Sequence, residues 1–446
     1  MKDFTGRKIL IIVENLPVPF DRRVWQEATA LAEQGALVSV ICPKGKGYER
    51  AYEEIDGIAI YRHGLPREAD GALGYALEYG AALLQEFRLA VKCLRQHGFH
   101  VIQACNPPDL IFLVALPFKL LGKHFIFDHH DINPELYLAK FGRKDFLYRL
   151  MLLLERLTFN TAEYAIATNQ SYYNIAVGRG GKAPERVAIV RSGPSLERMR
   201  IVPARGTYRN NRAFAVGYIG VMGRQEGLRY LVEAAHIMVH RWNRRDVQFI
   251  CVGGGTELDG TIRLAREHGV SDWFTFTGRI PDEDMLEALN SVDLCVNPDE
   301  YNEMNDKSTM NKIMEYMALG KPIVQFDLTE GRLTAQDASV YARRNDSEDL
   351  ARQIVALLEA PERRMRMGAF GRRRVEEELA WPHEKRKYLD VYRTCFGMKT
   401  GQERPAGKPA GGAGRPAAAS PAGEPVLEAV SDEAGSGDGT EEEISW

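Results

Sequence analysis

Short aliphatic runs punctuate the chain, each ending in a polar or glycine-bearing loop that leads to apolar residues spaced for a helix. In the first, Ile9, Leu10, Ile11, Ile12 and Val13 follow one another without a polar break, the pattern of a central parallel strand covered on both faces. The loop 14–23 then enters a helix through Trp25, Ala28, Leu31 and Ala32 that Gly35 stops. Residues 37–42, 58–61, 101–104, 124–128, 164–167 and 187–190 read as further strands, and 74–96 and 107–121 as helices. A polar stretch at 203–212 separates this series from a second one. There the strands fall at 214–219, 248–252, 273–276, 294–297, 323–325 and 340–341, with helices at 228–239, 257–268, 348–359, 361–379 and 381–395. The alternation predicts an α/β protein of two doubly wound, Rossmann-like domains, 1–200 and 213–380, with a helix at 381–397 crossing back to the first.

Composition narrows the picture in three places. From residue 398 to 446 the chain turns to Gly, Pro, Ala, Ser and Glu with few large aliphatics, which predicts a disordered tail. A net charge of −3 leaves no basic surplus for nucleic acid, so no nucleic-acid partner is expected. The six cysteines stand singly, without a Cys-x-x-Cys pair, and the apolar run at 9–13 is too short for a signal peptide or a span. A cytoplasmic protein with free thiols is the expectation.

In doubly wound sheets, ligands sit beyond the carboxyl ends of the strands, so the loops there are the candidates for chemistry. Asp21 and Arg22 lie ahead of the first helix, as an N-cap pair or as polar residues facing a ligand. After the strand at 124–128 come His129, His130, Asp131 and Glu135. Adjacent histidines on an extended chain point to opposite sides, which disfavours a metal site. One histidine reaching a sugar hydroxyl, oriented by Asp128 or Asp131, fits the spacing, as does a plain structural loop. The second half offers a glycine turn, Gly220-Val221-Met222-Gly223-Arg224-Gln225-Glu226-Gly227, where backbone can approach a phosphate or simply turn tightly. It also offers the polar stretch 305–312 leading into a helix, which is either a plain capped amphipathic helix or one whose free N–H groups suit a phosphate or hydroxyl. Finally, 141–159 and 116–124 interleave apolar residues with Arg143, Lys144, Arg149, Arg156, Lys119 and Lys123. Such a helix either packs on the sheet or lies on an anionic bilayer surface.

The histidine loop, the glycine turn, the Gly278-Arg279-Ile280 turn and a glutamate-bearing helix together resemble the retaining glycosyltransferases of family 4, with GT-B architecture, over about residues 8–395. The most specific run is Glu315-Tyr316-Met317-Ala318-Leu319-Gly320-Lys321-Pro322-Ile323-Val324, similar to the segment closing that family's Glu-x7-Glu motif. Its lead-in Ser308-Thr309-Met310-Asn311-Lys312, with Gly220-Val221-Met222-Gly223 and Arg191-Ser192-Gly193-Pro194, is similar to a bacterial surface-polysaccharide branch related to fucosamine transferases.

The resemblance implies two domains facing across a cleft, a nucleotide-sugar donor held by the second, and a glycan or lipid-linked acceptor entering from the first beside Asp21 and Arg22. Glu315 would hold the ribose diol, Arg279 and Ile280 would flank the base, and Gly220 and Gly223 would approach the diphosphate. Backbone at Ser308, Thr309, Met310 and Asn311 would hold the sugar or its phosphate, and His130 with Asp131 would meet the donor sugar. No cofactor and no obligatory metal is implied. The sequence departs from the family's pattern where the first Glu falls on Lys307 and the usual Arg and Lys fall on Val221 and Glu226. Arg224, Lys307, Lys312 and Arg191 are then the cations expected to face the diphosphate. A silent GT-B scaffold and a sugar-nucleotide epimerase are the competing expectations.

Overall fold

The computed structural model describes residues 2–64 and 71–400. The tail predicted beyond residue 398 therefore falls almost wholly outside the described residues. The first sheet comprises β1 (Lys8–Ile12), β2 (Leu37–Pro43), β3 (Tyr52–Ile55), β4 (Ile58–His63), β5 (Val101–Cys105), β6 (His124–His129), β7 (Tyr164–Ala167) and β8 (Val187–Ile189), in the order β3-β4-β2-β1-β5-β6-β7-β8. All its pairings are parallel except the β3–β4 hairpin. The second sheet holds β9 (Phe214–Ile219), β10 (Val247–Val252), β11 (Phe274–Gly278), β12 (Leu294–Asn297), β13 (Ile323–Phe326) and β14 (Ser339–Ala342), in the order β11-β10-β9-β12-β13-β14. The aliphatic runs are the buried strands because helices cover both faces of each sheet, as parallel pairing requires. The α/β, two-sheet expectation holds.

Local differences have identifiable causes. The β3 strand went unread, although Asp56-Gly57, both at positive φ, is a turn that favours a tight hairpin. The helix expected from 107 begins at Phe112, because Asn106 and Pro107 each precede a proline and are held away from helical geometry. The single helix expected over 141–159 is two helices. Gly142, in the left-handed region, closes Asn133–Phe141, and the Asp145 carboxylate accepts from Tyr148 N–H to open Phe146–Thr161. The stretch 305–310 is not all loop: Glu303–Lys307 forms a short helix before Asn311–Ala318.

The last helix, Trp381–Cys395, crosses back. Tyr388, Leu389, Val391, Tyr392 and Cys395 share one buried core with Ile9, Ile11, Val40, Ile126 and Ile166 of the first sheet. Where the chain returns, residues 193–194 lie against 379–381, and Trp381 N–H donates to Pro194 O at 3.2 Å. A Cβ on Gly193 would sit 2.4 Å from Leu379 O, so only glycine fits this crossing. All six cysteines are free and buried.

Candidate functional site

The β6 strand delivers Asp128, His129 and His130 to its carboxyl end, with alternate residues facing opposite ways. Asp128 is completely buried, and Arg23, on the first turn of helix Arg22–Glu33, reaches it with Nη2 at 2.9 Å from Oδ1. The same guanidinium donates to Val190 O at 3.0 Å and Ser192 Oγ at 3.3 Å, and its Nε lies 2.9 Å from His130 Nε2. Asp128 Oδ2 lies 2.8 Å from that same Nε2. Burial alone would raise the Asp128 carboxyl, but Arg23 and His130 hold it well below the usual carboxylate range. Among the described residues His130 Nδ1 has no hydrogen-bond partner, so the imidazole is gripped at one nitrogen and open at the other.

Of the two carboxylates expected to orient His130, the structure brings Asp128 to it. Asp131 is instead tied through its backbone: its N–H donates to Asn106 Oδ1 at 3.1 Å and its carbonyl accepts from Asn106 Nδ2 at 2.6 Å. His130 N–H also donates to Asn106 Oδ1, at 2.7 Å, so one asparagine fixes the loop. Cys105, Asp128 and His130 present ligand atoms within 4.8 Å of one another. Arg23 already compensates that carboxylate, so a cation there would meet a guanidinium.

His129 turns the other way, among the rings of Phe127, Phe159 and Tyr172 at centroid distances of 5.0–5.4 Å, and both its nitrogens lack hydrogen bonds. Burial, reinforced by Arg179, pushes its pKa down to about 3. The folded state therefore keeps His129 neutral while the unfolded chain takes up a proton below about pH 6.5, and stability falls as pH drops through that value. His129→Phe should lose this dependence: its melting temperature should exceed that of the wild type by more at pH 5 than at pH 8, by differential scanning fluorimetry.

Across the cleft, the glycine turn and helix Asn311–Ala318 carry the second group of expected residues. Glycines are needed here because two turns pack on each other: a Cβ on Gly253 would sit 2.0 Å from Gly220 O. Gly223 N–H donates to Glu226 Oε2 at 3.0 Å, so Glu226 caps the turn. Burial pushes the Glu226 carboxyl up, and Lys312 pulls it back. Lys312 Nζ is 2.8 Å from the buried Asp299 and lies over the Tyr218 ring. Met310 precedes the helix with no capping oxygen, leaving the N-terminus of Asn311–Ala318 without a side-chain cap.

The other expected residues are placed as follows. Glu315, in the helix, pairs with Arg198 at 3.0 Å; Arg198 also holds Asp282 at 2.7 Å, and Arg22 of the first domain reaches Asp282 at 3.7 Å. Asp21 caps the Arg22–Glu33 helix by accepting from Val24 N–H at 3.0 Å. Ser308 Oγ lies 3.3 Å from Tyr172 OH, and Thr309 Oγ1 accepts from Asn169 Nδ2 at 3.1 Å and from Arg191 at 3.3 Å. Arg191 also approaches Glu330 at 3.8 Å. Lys307 is turned to the first domain, 2.9 Å from Glu135, which Arg179 also holds. A cleft of about 300 Å³ opens beside it, lined by Ser171, Asn174, Ile175, Arg179 and Lys307. The charge exchange expected to put Lys307 and Lys312 on a diphosphate is thus already balanced by Glu135 and Asp299. Arg224 and Arg279 are exposed, Ile280 is at the rim, and Arg224 has no ion-pair partner among the described residues.

Sequence reasoning missed Arg23, Asn106 and Arg198. Arginine is rarely buried, and the pattern ahead of the first helix draws attention to Asp21 and Arg22, whereas it is Arg23 that turns inward to meet Asp128.

Known proteins share both halves. Residues 21–193 match the family described as glycosyl transferase 4-like domain, and residues 213–360 match glycosyl transferases group 1. The 2-deoxystreptamine glucosyltransferase of Streptomyces kanamyceticus is 22% identical over 397 residues, spanning 84% of this chain and 99% of that protein. Among solved structures, the sucrose-phosphate synthase of Thermosynechococcus elongatus superposes with a TM-score of 0.71 at 18% identity, over 88% of this chain and 99% of its own. Anabaena HepE in complex with UDP and glucose gives 0.65 at 15% identity, over 88% of this chain and 100% of its own. With two parallel-sheet domains in this order and both halves matching glycosyltransferase domains, the chain is a glycosyltransferase of GT-B architecture.

Proposed function

We propose that the protein transfers a sugar, with retention of anomeric configuration, from a nucleoside-diphosphate sugar to a lipid-linked glycan at the cytoplasmic face of a membrane, in the assembly of a bacterial surface polysaccharide of the fucosamine-transferase branch. The observation that carries the reading is His130, gripped at Nε2 by Asp128 and Arg23 and free at Nδ1, at a strand end whose neighbour Arg22 is linked through Asp282 and Arg198 to Glu315. That chain of contacts supports a reading in which the histidine and a ribose-binding glutamate face one cleft. The UDP and glucose in the Anabaena protein and the glucosyl activity named for the Streptomyces relative support a UDP-hexose donor.

The residues act by position and charge. Glu315 accepts from the ribose diol once the nucleotide displaces or shares Arg198. The uncapped N-terminus of Asn311–Ala318 supplies N–H groups and the positive end of a dipole to the sugar or its phosphate. Arg224, lacking a carboxylate partner among the described residues, is the cation best placed by charge to meet the departing diphosphate, whereas Lys307 and Lys312 act through structure. His130 Nδ1 meets a donor-sugar hydroxyl, and its fixed orientation spares the entropy of arranging it in the transition state. No metal is required for these roles.

Nucleotide-dependent protection tests the activity class. UDP or GDP at about 100 times its Kd should stabilise the fold by roughly 2.7 kcal/mol, read as a saturable rise in melting temperature. No shift with any nucleotide would favour a silent scaffold, and interconversion of the donor sugar without its hydrolysis would favour an epimerase.

The membrane reading rests on helix Phe146–Thr161, which buries only Glu155, Thr158 and Phe159. Phe141, Phe146, Leu147, Leu153 and Leu157 are exposed, beside Leu113, Leu116, Leu120 and Leu121 of the adjacent helix and its end. Lys144, Arg149 and Arg156 are exposed among them, giving an apolar and cationic face suited to anionic lipid. No helix among the described residues is long and apolar enough to cross a membrane. The protein should co-sediment with vesicles containing anionic lipid and not with neutral ones, and a Phe146→Glu/Leu153→Glu variant should stay in the supernatant. Equal sedimentation with both vesicle types would remove this part of the proposal.

A further inference from the structure

The helix Pro361–Arg374 is seated by its glycines on the end of the Asn311–Ala318 helix. A Cβ on Gly368 would sit 2.1 Å from Gly320 O, and one on Gly371 3.1 Å from Met317 Cγ. Arg363, Arg366, Phe370 and Arg373 recur at helical spacing on another face. A cleft of about 620 Å³ opens beside them, with Met367 and Phe370 among its apolar members. Asp337 is the only carboxylate among the described residues that line it.

The three guanidinium groups on this cleft are exposed and poorly compensated. Arg366 approaches Glu362 at 3.9 Å, and Arg363 and Arg373 have no ion-pair partner among the described residues. Arg372 and Arg374, on either side of Arg373, are by contrast held by Glu376 and Glu378, while Glu377 makes no such pair.

The chain carries its own acidic counterpart. Residues 416–446 hold eight Asp or Glu and no Lys or Arg. Within them Glu424-Pro425-Val426-Leu427-Glu428-Ala429-Val430-Ser431-Asp432-Glu433 interleaves four acids with three large aliphatics. That composition complements a cleft of three cations and two large apolar side chains. The backbone path from Arg373 through helix Trp381–Cys395 to Thr400 is at most about 55 Å, and a chain as long as 401–423 spans up to about 80 Å. Exposed ion pairs are individually weak, but a tether holds the segment at an effective concentration of about millimolar, so contacts of that strength suffice.

We propose that residues 424–433 dock on the arginine-lined cleft of the same chain, with aliphatic side chains against Met367 and Phe370 and acids against Arg363, Arg366 and Arg373. The docking is independent of donor and acceptor.

The experiment uses the full chain with a nitroxide on Ser431→Cys, the six native cysteines being buried. The electron paramagnetic resonance spectrum should contain a slow component that weakens in about 1 M salt, where the Debye length is about 3 Å. Arg363→Glu/Arg366→Glu/Arg373→Glu should lose that component. Glu424→Lys/Glu428→Lys/Glu433→Lys, which leaves the two sheet domains unaltered, should lose it as well. Combining both sets should restore it, because each reversed charge again meets its opposite. A label as mobile in the wild type as in the reversed variants overturns the proposal, and so does a slow component that survives both reversals. A slow component that grows with protein concentration assigns the cleft to the tail of a second copy and also overturns it. So does a mobile label in a chain whose co-sedimentation with anionic vesicles falls on arginine reversal, which assigns the cleft to lipid.

Discussion

Arg23→Met should be among the most damaging single substitutions in the first domain. It leaves the carboxylate of Asp128 fully buried without its guanidinium, beside Glu27, which Arg23 also contacts at 3.2 Å. Breaking a buried pair by removing one partner costs about 3–5 kcal/mol, because the remaining charge is desolvated and uncompensated. The melting temperature should drop steeply at pH 7.5, and donor turnover should be lost. The sign of the pH effect is specific. In the wild type Arg23 keeps the Asp128 carboxyl below its usual range, so that contribution is present at neutral pH. Without Arg23 burial raises the carboxyl above its unfolded value, and the loss should shrink as pH falls toward 5 and Asp128 takes up a proton. A variant as stable as the wild type at pH 7.5 would contradict the ion-pair account.

His130→Ala should separate chemistry from stability. Its imidazole is partly open to the cleft, and its removal leaves Arg23 on Asp128, so the melting temperature should change little. If Nδ1 meets the donor sugar, turnover should fall by about 10²–10⁴-fold, the range for a positioned group acting in the transition state. If the second domain holds the donor, nucleotide affinity should stay within about twofold. A turnover within threefold of the wild type, measured as donor hydrolysis or transfer, would exclude His130 from the reaction.

Most strand positions were legible because a parallel strand covered on both faces carries few polar residues, as Ile9 to Val13 shows, whereas the edge strand β3 alternates and was missed. What could not be read was where long polar side chains go. Lys307 and Lys312 share a polar stretch, and nothing in the chain's order says that one meets Glu135 of the other domain while the other meets Asp299. Glu226 looked like a charge opposed to a diphosphate, but it answers a local need, the Gly223 N–H. The histidine pair was partly legible: alternation along a strand separates His129 from His130, but which one faces the core depends on the register of β6. Arg23 was beyond reach, because apart from Glu27 on its own helix its buried partners are Asp128 on β6 and Val190 just after β8, more than a hundred residues away.

The returning helix also bears on how the chain is made. The core of the first sheet includes Tyr388, Leu389, Val391, Tyr392 and Cys395, residues synthesised long after β8. During translation the first domain leaves the ribosome with an apolar face uncovered, and it waits through the whole second domain for its last helix. The first domain therefore completes its core only after the second has been made, and the interval is one in which a chaperone would find an exposed surface.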